Sequence, residues 1–427
     1  YGALFEAPEN NPKARPMTIL ISPSDIHIAT RNLLRNVKRT SVAVLAVGGG
    51  VVAFLLAGGF IAYIFKEMRE ATIHSQLGHV QIVRPGYFEK GIADPFSFLL
   101  PADPERMAQI EASLRPETLA PRMSFSGLIS RGDATMPFIA DGIDPAKEEP
   151  ISSRIMIVEG RALEDVAEKS VVVGEGLAAG LGVKVGESVV LLATKENGTP
   201  NAVELKVVGI FATSTKDYDD YALRVPIPVA RKLMAVTGST SWVILLAATD
   251  RTEAAVKALA KALPKGDFEV VPWTALADFY NKTVVLFSKQ VSVVKFIIGL
   301  IIILTISNTQ MMTVLERTTE IGTSMAIGLK RWVIVKFFLL EGLILGIVGG
   351  VAGIVLGYLL GELISWVGIP MPAPPGMARG YIGKILITPE LVVDALVLAV
   401  VTTLAASIMP AWKAGSMNIV DALRTNQ

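Results

Sequence analysis

The chain has 427 residues, 51% of them hydrophobic and 19% charged, with a mean hydropathy of +0.50, which excludes a disordered chain and an ordinary soluble protein of this size. Its 40 basic and 39 acidic residues leave a net charge of +1. That balance lacks the global basic field of a nucleic-acid binder, so no nucleic acid is expected as a partner.

Residues 1–22 read as a polar, Pro-containing N-terminal arm. In 23–40, Ile26, Leu33, Leu34 and Val37 lie near one helical face and Arg31, Arg35 and Lys38 near the other. That pattern predicts an interfacial amphipathic helix, the alternative being a basic flank that only sets topology. Ser41 to Phe65 is the first of four charge-free apolar runs; the others are Phe296 to Leu315, Gly342 to Gly361 and Ala395 to Trp412. Each is close to the ~20 residues that cross a hydrocarbon core, and together they predict four transmembrane helices at 41–65, 291–315, 337–365 and 391–412. The first run starts too deep in the chain and is too long for a cleavable signal.

Between the first two spans, 66–290 has the charge density of a soluble domain. Strand-like runs at His79–Val83, Ser170–Val173, Ser188–Ala193, Val203–Phe211, Tyr221–Pro228 and Trp242–Ala248 alternate with helical patterns at Asp103–Leu114 and Thr252–Leu263, where Thr252 is the expected N-cap. The fold class is therefore a four-helix membrane protein with a large α+β extracytoplasmic domain inserted between helices 1 and 2. Lys66–Leu77 and Thr274–Gln290 continue the flanking spans without a Gly or Pro break and predict stalk helices at both ends of that domain. Beyond the second span lie a short charged loop (316–336), a short loop between helices 3 and 4 (366–390) and a C-terminal segment (413–427). Basic residues crowd the ends at Arg31, Arg35, Lys38, Arg39, Arg317, Lys330, Arg331, Lys336 and Lys413, which places both termini and the 316–336 loop in the cytoplasm.

Candidate chemistry is sparse. The chain has no cysteine, hence no disulfide or thiolate chemistry, and three histidines, His27, His74 and His79. His74 and His79 stand five apart, which does not align two ligands on one helix face, so they read as solvated or strand-end residues and no metal site is expected. No phosphate-binding Gly-x-x-x-x-Gly-Lys loop, His-Glu-x-x-His helix or Gly-x-Ser-x-Gly elbow occurs. Gly174–Gly182 reads as a structural helix and turn, and Asp217, Asp219 and Asp220 as a solvated loop. No catalytic residue is assigned, and the chain is not expected to be an enzyme. In the third span, Gly349, Gly353, Gly357 and Gly361 recur every four residues beside a second track of Gly342, Gly346 and Gly350, a spacing for close helix packing within the chain or between two chains. Lys295, Glu341 and Asp394 sit at span boundaries, where snorkelling or pairing is expected. The 316–336 loop mixes charge with Ile321, Met325, Ile327 and Leu329, predicting a surface helix with an apolar face for a cytoplasmic partner.

Glu316-Arg317-x-x-Glu320-Ile321-Gly322 with Ala326-Ile327-Gly328, followed by Leu340-Glu341-Gly342 and the glycine-rich span, resembles the coupling-helix region of MacB/FtsX-type ABC transporter permeases. Arg31-Asn32-Leu33-Leu34-Arg35-Asn36, Pro410-Ala411-Trp412-Lys413-Ala414 and Val420-Asp421-Ala422-Leu423-Arg424 are similar to that family's entry and ending. Gly78-His79-Val80-Gln81-Ile82, Pro85-Gly86-Tyr87 and Val208-Gly209-Ile210-Phe211 resemble the Lol-type (LolC/LolE) lipoprotein-releasing branch. The resemblance implies a bacterial inner-membrane permease that dimerises with a second, identical or related, permease chain. Two copies of a separate ATPase would bind ATP and Mg and push on Glu316, Arg317, Glu320, Ile321, Gly322, Ala326 and Gly328. It further implies extraction of lipoproteins or another amphiphile from membrane lipid to a periplasmic carrier by mechanical transmission. An FtsX-like regulator of a periplasmic enzyme and a MacB-like efflux permease are the alternatives.

Overall fold

The computed structural model describes residues 23–91, 94–213, 215–264, 266–372 and 380–424. The arm at 1–22, residues 373–379 of the loop between helices 3 and 4, and residues 425–427 lie outside them. In chain order, α1 (Pro23–Arg35) is followed by α2 (Val37–Thr72), which continues as a π-helical turn over Ile73–Leu77. Next come β1 (Val80–Val83), α3 (Pro104–Leu114), β2 (Thr118–Arg131), β3 (Ala134–Ile143), α4 (Pro145–Glu148), β4 (Met156–Gly160), β5 (Ser170–Gly174), α5 (Glu175–Leu181), β6 (Ser188–Thr194) and β7 (Pro200–Ala212). The domain ends with α6 (Lys216–Asp219), β8 (Ala222–Pro226), α7 (Ile227–Met234), β9 (Ser241–Leu245), α8 (Thr252–Ala262), β10 (Glu269–Pro272) and α9 (Trp273–Leu276). Then follow α10 (Asp278–Glu316), α11 (Thr318–Ala326), α12 (Arg331–Val367), the hairpin β11 (Ile369–Met371) and β12 (Tyr381–Gly383), α13 (Pro389–Gly415) and α14 (Ile419–Arg424). Four segments are long and apolar enough to cross a membrane: Val37–Leu77, Asp278–Glu316, Arg331–Val367 and Pro389–Gly415.

The described residues form two compact units. The first comprises the chain up to Gly58, Ser292–Gly361 and the chain from Ile387 onward. Here the two glycine tracks of α12 serve two different neighbours within the chain. A Cβ on Gly353 would stand 2.7 Å from both the Gly48 carbonyl and Val51 Cβ of α2, and Gly349 and Gly357 press on Val47 and Leu55 of the same helix. Gly342, Gly346 and Gly350 instead abut Ser407, Thr403 and Ala399 of α13. Gly361 is buried. Without a hydrophobic driving force between helices in lipid, such close approach supplies the dispersion contacts that hold the bundle. Lys295 of α10 pairs with Asp394 of α13 at 3.1 Å.

The second unit, Gly59–Val291 with Glu362–Leu386, holds the inserted domain. Six strands close on themselves: β2 pairs β3, β3 pairs β8, β8 pairs β5, β5 pairs β7, β7 pairs β6, and β6 returns to β2. Inward residues of this barrel, among them Phe125, Ile129, Phe138, Leu191, Val207 and Leu223, form its core with α5 and α7. β2 also leaves the barrel: Thr118–Arg122 pairs with β9, which pairs with β1, which pairs with β10. That sheet is buried on both faces. Val80, Ile82, Trp242 and Ile244 meet α3 and α8 on one side, while Val243, Leu245 and Ala120 meet Ile73, Ile151 and Trp273 on the other. Glu148 is buried between Arg122 and Arg224, whose guanidinium groups also donate to the carbonyls of Gln76 (2.6 Å) and Ser75 (2.7 Å). This network fastens the π-helical end of α2 to the sheet.

Several expectations need correction. The interfacial helix ends at Arg35 rather than at 40; at the break the Leu33 carbonyl accepts from the Asn36 amide at 3.3 Å and from the Thr40 hydroxyl at 2.7 Å. The lead into the second span is not continuous but breaks at Ala277, leaving α9 as a separate turn. The third long helix begins at Arg331 rather than at 337. The run Tyr221–Pro228 turns from strand to helix at Ile227, because Pro228 is at home in a first helical turn. Thr252 lies inside α8, its hydroxyl donating to the Thr249 carbonyl, and Arg251 precedes it. Asp219 is not solvated: it is buried and accepts from the Thr213 amide and hydroxyl. His79 is also buried, its Nδ1 accepting from the Leu246 amide at 3.0 Å.

Candidate coupling site

The charged loop after the second span folds into α11, separated from α10 by Arg317 alone, whose backbone (φ −97°, ψ 14°) leaves the helical region. One face of α11 is pinned. Ile321 and Met325 are buried in a cluster with Val314, Ile334, Phe338, Ala411 and Ala414, drawn from α10, α12 and α13. Gly322 lies against α14, where a Cβ would come within 2.7 Å of Ala422 Cβ. Gly328 ends the helix: its amide donates to Met325 O, the Leu329 amide donates to Ser324 O, and its φ of +105° is a conformation L side chains rarely adopt.

Ion pairs fasten α11 to α1 and the end of α10 to α2. Arg35 donates to Glu320 at 2.6 Å, and Arg39 makes a two-pronged contact with Glu316. Arg317 bridges Glu320 (3.2 Å) and Glu341 of α12 (3.3 Å), and Glu341, only 5% exposed, also accepts from Asn32 of α1 at 3.0 Å. Lys336 of α12 pairs with Asp25 of α1 at 2.6 Å. Burial disfavours ionised Glu320, yet hydrogen bonds from Arg35 and Arg317 outweigh it and hold the carboxyl below the usual range.

The sequence-derived residues therefore divide. Glu316, Glu320, Ala326 and Gly328 are exposed, Arg317 is half-buried, and Ile321 and Gly322 face inward and anchor the helix rather than offer a surface. Of the expected apolar face, Ile321 and Met325 are spent on packing, whereas Ile327 is 84% exposed and Leu329 42%. The outward surface is thus Thr323, Ala326, Ile327 and Leu329, continued by Trp332 at 40% exposure. The sequence alone did not pair Arg35 with Glu320 or Arg39 with Glu316; the available signal was opposite charge on two segments nearly 300 positions apart. Among the described residues no cluster fit to hold a metal ion is present.

The family model for a MacB-like periplasmic core domain matches residues 40–262, over half of the chain, and that for an FtsX-like permease C-terminal region matches 292–419. This chain belongs to the MacB/FtsX-type permease family. Similar proteins include an uncharacterised ABC transporter permease, MJ1507, of Methanocaldococcus jannaschii, 29% identical over 63% of this chain and 65% of that protein. The lipoprotein-releasing system transmembrane protein LolC of Neisseria meningitidis serogroup B is 24% identical over 71% of this chain and 72% of its own length. The pyoverdine export ATP-binding/permease protein PvdT of Pseudomonas fluorescens is 29% identical over 52% of this chain and 33% of its length. The chain thus spans about two thirds or less of MJ1507 and PvdT. As a MacB/FtsX/LolC-type ABC permease it is an inner-membrane protein, and its large inserted domain is the periplasmic core. In this family the permease is normally non-catalytic.

Proposed function

We propose that this MacB/FtsX-type chain is the permease subunit of a lipoprotein-releasing ABC transporter. The observation that carries the reading is the match to LolC over 71% of the chain. In this reading a second permease chain completes the membrane assembly, two copies of a separate ATPase bind ATP and Mg, and a periplasmic carrier receives the cargo. The ATPase supplies the free energy of hydrolysis; this chain supplies a surface and a lever. The outward edge of α11, Ala326, Ile327 and Leu329, is the contact for the ATPase. The buried side, Ile321, Gly322 and Met325, makes α11 rigid with the ends of α10, α12 and α13. The pairs Arg35–Glu320 and Arg39–Glu316 pass the same displacement to α1 and α2. With 36 and 39 residues, α2 and α10 measure about 54 and 58 Å at 1.5 Å per residue, well beyond a ~30 Å hydrocarbon core. A push on α11 is thereby transmitted as helix motion to the periplasmic domain.

Affinity purification of the detergent-solubilised chain tests this. The wild type is expected to retain an ATPase carrying a phosphate-binding Walker A loop, and Ile327→Asp to lose it without a fall in melting temperature, because the Ile327 side chain is 84% exposed. Equal retention by the variant, or no ATPase at all, overturns the reading. The similarity to PvdT favours a second reading, export of a small amphiphile; reconstituted vesicles offered a lipoprotein and a siderophore in parallel separate the two.

A further inference from the structure

The cytoplasmic third of α10 contains a buried polar side chain, Gln310, that neither the coupling network nor helix packing uses. Gln310 lies within a membrane-spanning helix, is only 4% exposed, and among the described residues neither its amide nitrogen nor its amide oxygen has a hydrogen-bond partner. It borders a cavity of about 30 Å³. Polar side chains from several helices line the same space: Asn32 of α1, Thr40 of α2, Thr309 and Thr313 of α10, Arg317 and Glu341. A buried amide inside a bilayer-spanning bundle must be satisfied, and a water needs roughly 10–15 Å³ of such space and two to four polar partners. The cavity supplies both. A second feature of α10 coincides with it. The hydroxyls of Thr305, Thr309 and Thr313 each donate to the carbonyl four residues earlier, at 2.8, 2.8 and 3.0 Å. Such back-bonding competes with the helix ladder and bends helices.

We propose that the cavity around Gln310 is an internal hydration site for one or two ordered waters and that, with the threonine ladder, it makes α10 a hydrated hinge just above the coupling helix. The waters bond the Gln310 amide and let the Thr309–Arg317 segment tilt against α2 and α12 while its polar groups stay satisfied. A dry, fully packed seam would have to break contacts at every step. This inference does not depend on what the protein transports.

X-ray hydroxyl-radical footprinting of the full-length chain in lipid nanodiscs with ¹⁸O-water tests it. Leu345, 4% exposed and lining the cavity, is expected to acquire ¹⁸O several-fold faster than the lipid-facing Leu304 and Leu359, and that excess is expected to fall in Gln310→Leu. Hydrogen exchange reads the hinge: the amides of 309–313 are expected to exchange faster than those of 300–304, and to slow in the variant. Labelling of Leu345 at the lipid-facing rate in the wild type overturns the hydration site without reference to any variant. Labelling unchanged in a folded Gln310→Leu overturns the role of the amide, and equal exchange along the helix overturns the hinge.

Discussion

His79 enters the periplasmic domain at the start of β1 with its ring against His74, the centroids 6.1 Å apart. Its Nδ1 accepts the Leu246 amide hydrogen, so the ring proton sits on Nε2 and points to Thr249 Oγ1 at 3.1 Å. Burial, aided by the neighbouring His74, lowers its pKa to about 4. The folded state therefore resists a proton that the unfolded chain takes up near pH 6.5, and stability is full above that value and lost as pH falls toward about 4. Melting curves across that window should show this acid loss, and His79→Gln should diminish it. Glu148 gives the complementary case. Replacing it with Gln leaves Arg122 and Arg224 buried without their countercharge, and about 3–5 kcal/mol of domain stability should disappear, measurable by denaturant unfolding. Both environments were hidden in the sequence for one reason. His79 is defined by partners 167 and 170 positions away, and Glu148 by arginines on two different strands, so no local pattern carries the signal.

Among the elements, the long apolar helices were legible because charge-free runs of that length have few alternatives in water. The barrel strands β2 and β3 were not. Pro121 and Pro137 lie within them, where a proline weighs against a central strand, yet β2 is shared between two sheets and each half is supported by different neighbours. The glycine tracks were visible, but their partners needed coordinates: both are occupied within the chain. Gly353→Leu should therefore cost about 1–3 kcal/mol by forcing α12 off the Gly48 backbone, whereas Gly49→Leu, with nothing within 4 Å of its Cβ, should be neutral in the same thermal assay. The exposed Arg35–Glu320 pair offers a cleaner separation of stability from coupling. Exposed pairs contribute only about 0–1 kcal/mol, so Arg35→Glu and Glu320→Arg should barely shift the melting temperature. Each reversal alone should lower transport per ATP hydrolysed, and the double reversal should restore it.

At the level of the whole molecule, a small outward surface on α11 is anchored from behind by α10, α12, α13 and α14 and ion-paired to α1. A short helix in the charged loop after the second span was legible in order and composition. Which of its residues face outward was not, because burial of Ile321, Gly322 and Met325 depends on α12, α13 and α14. Membrane-bound lipoprotein release in vesicles containing this chain, its co-purifying ATPase and a soluble periplasmic acceptor is the most direct test of the account. It predicts that ATP moves lipoprotein to the acceptor in the wild type and that the Arg35→Glu variant hydrolyses ATP with little release. ATP turnover with no lipoprotein leaving the wild-type vesicles would contradict it.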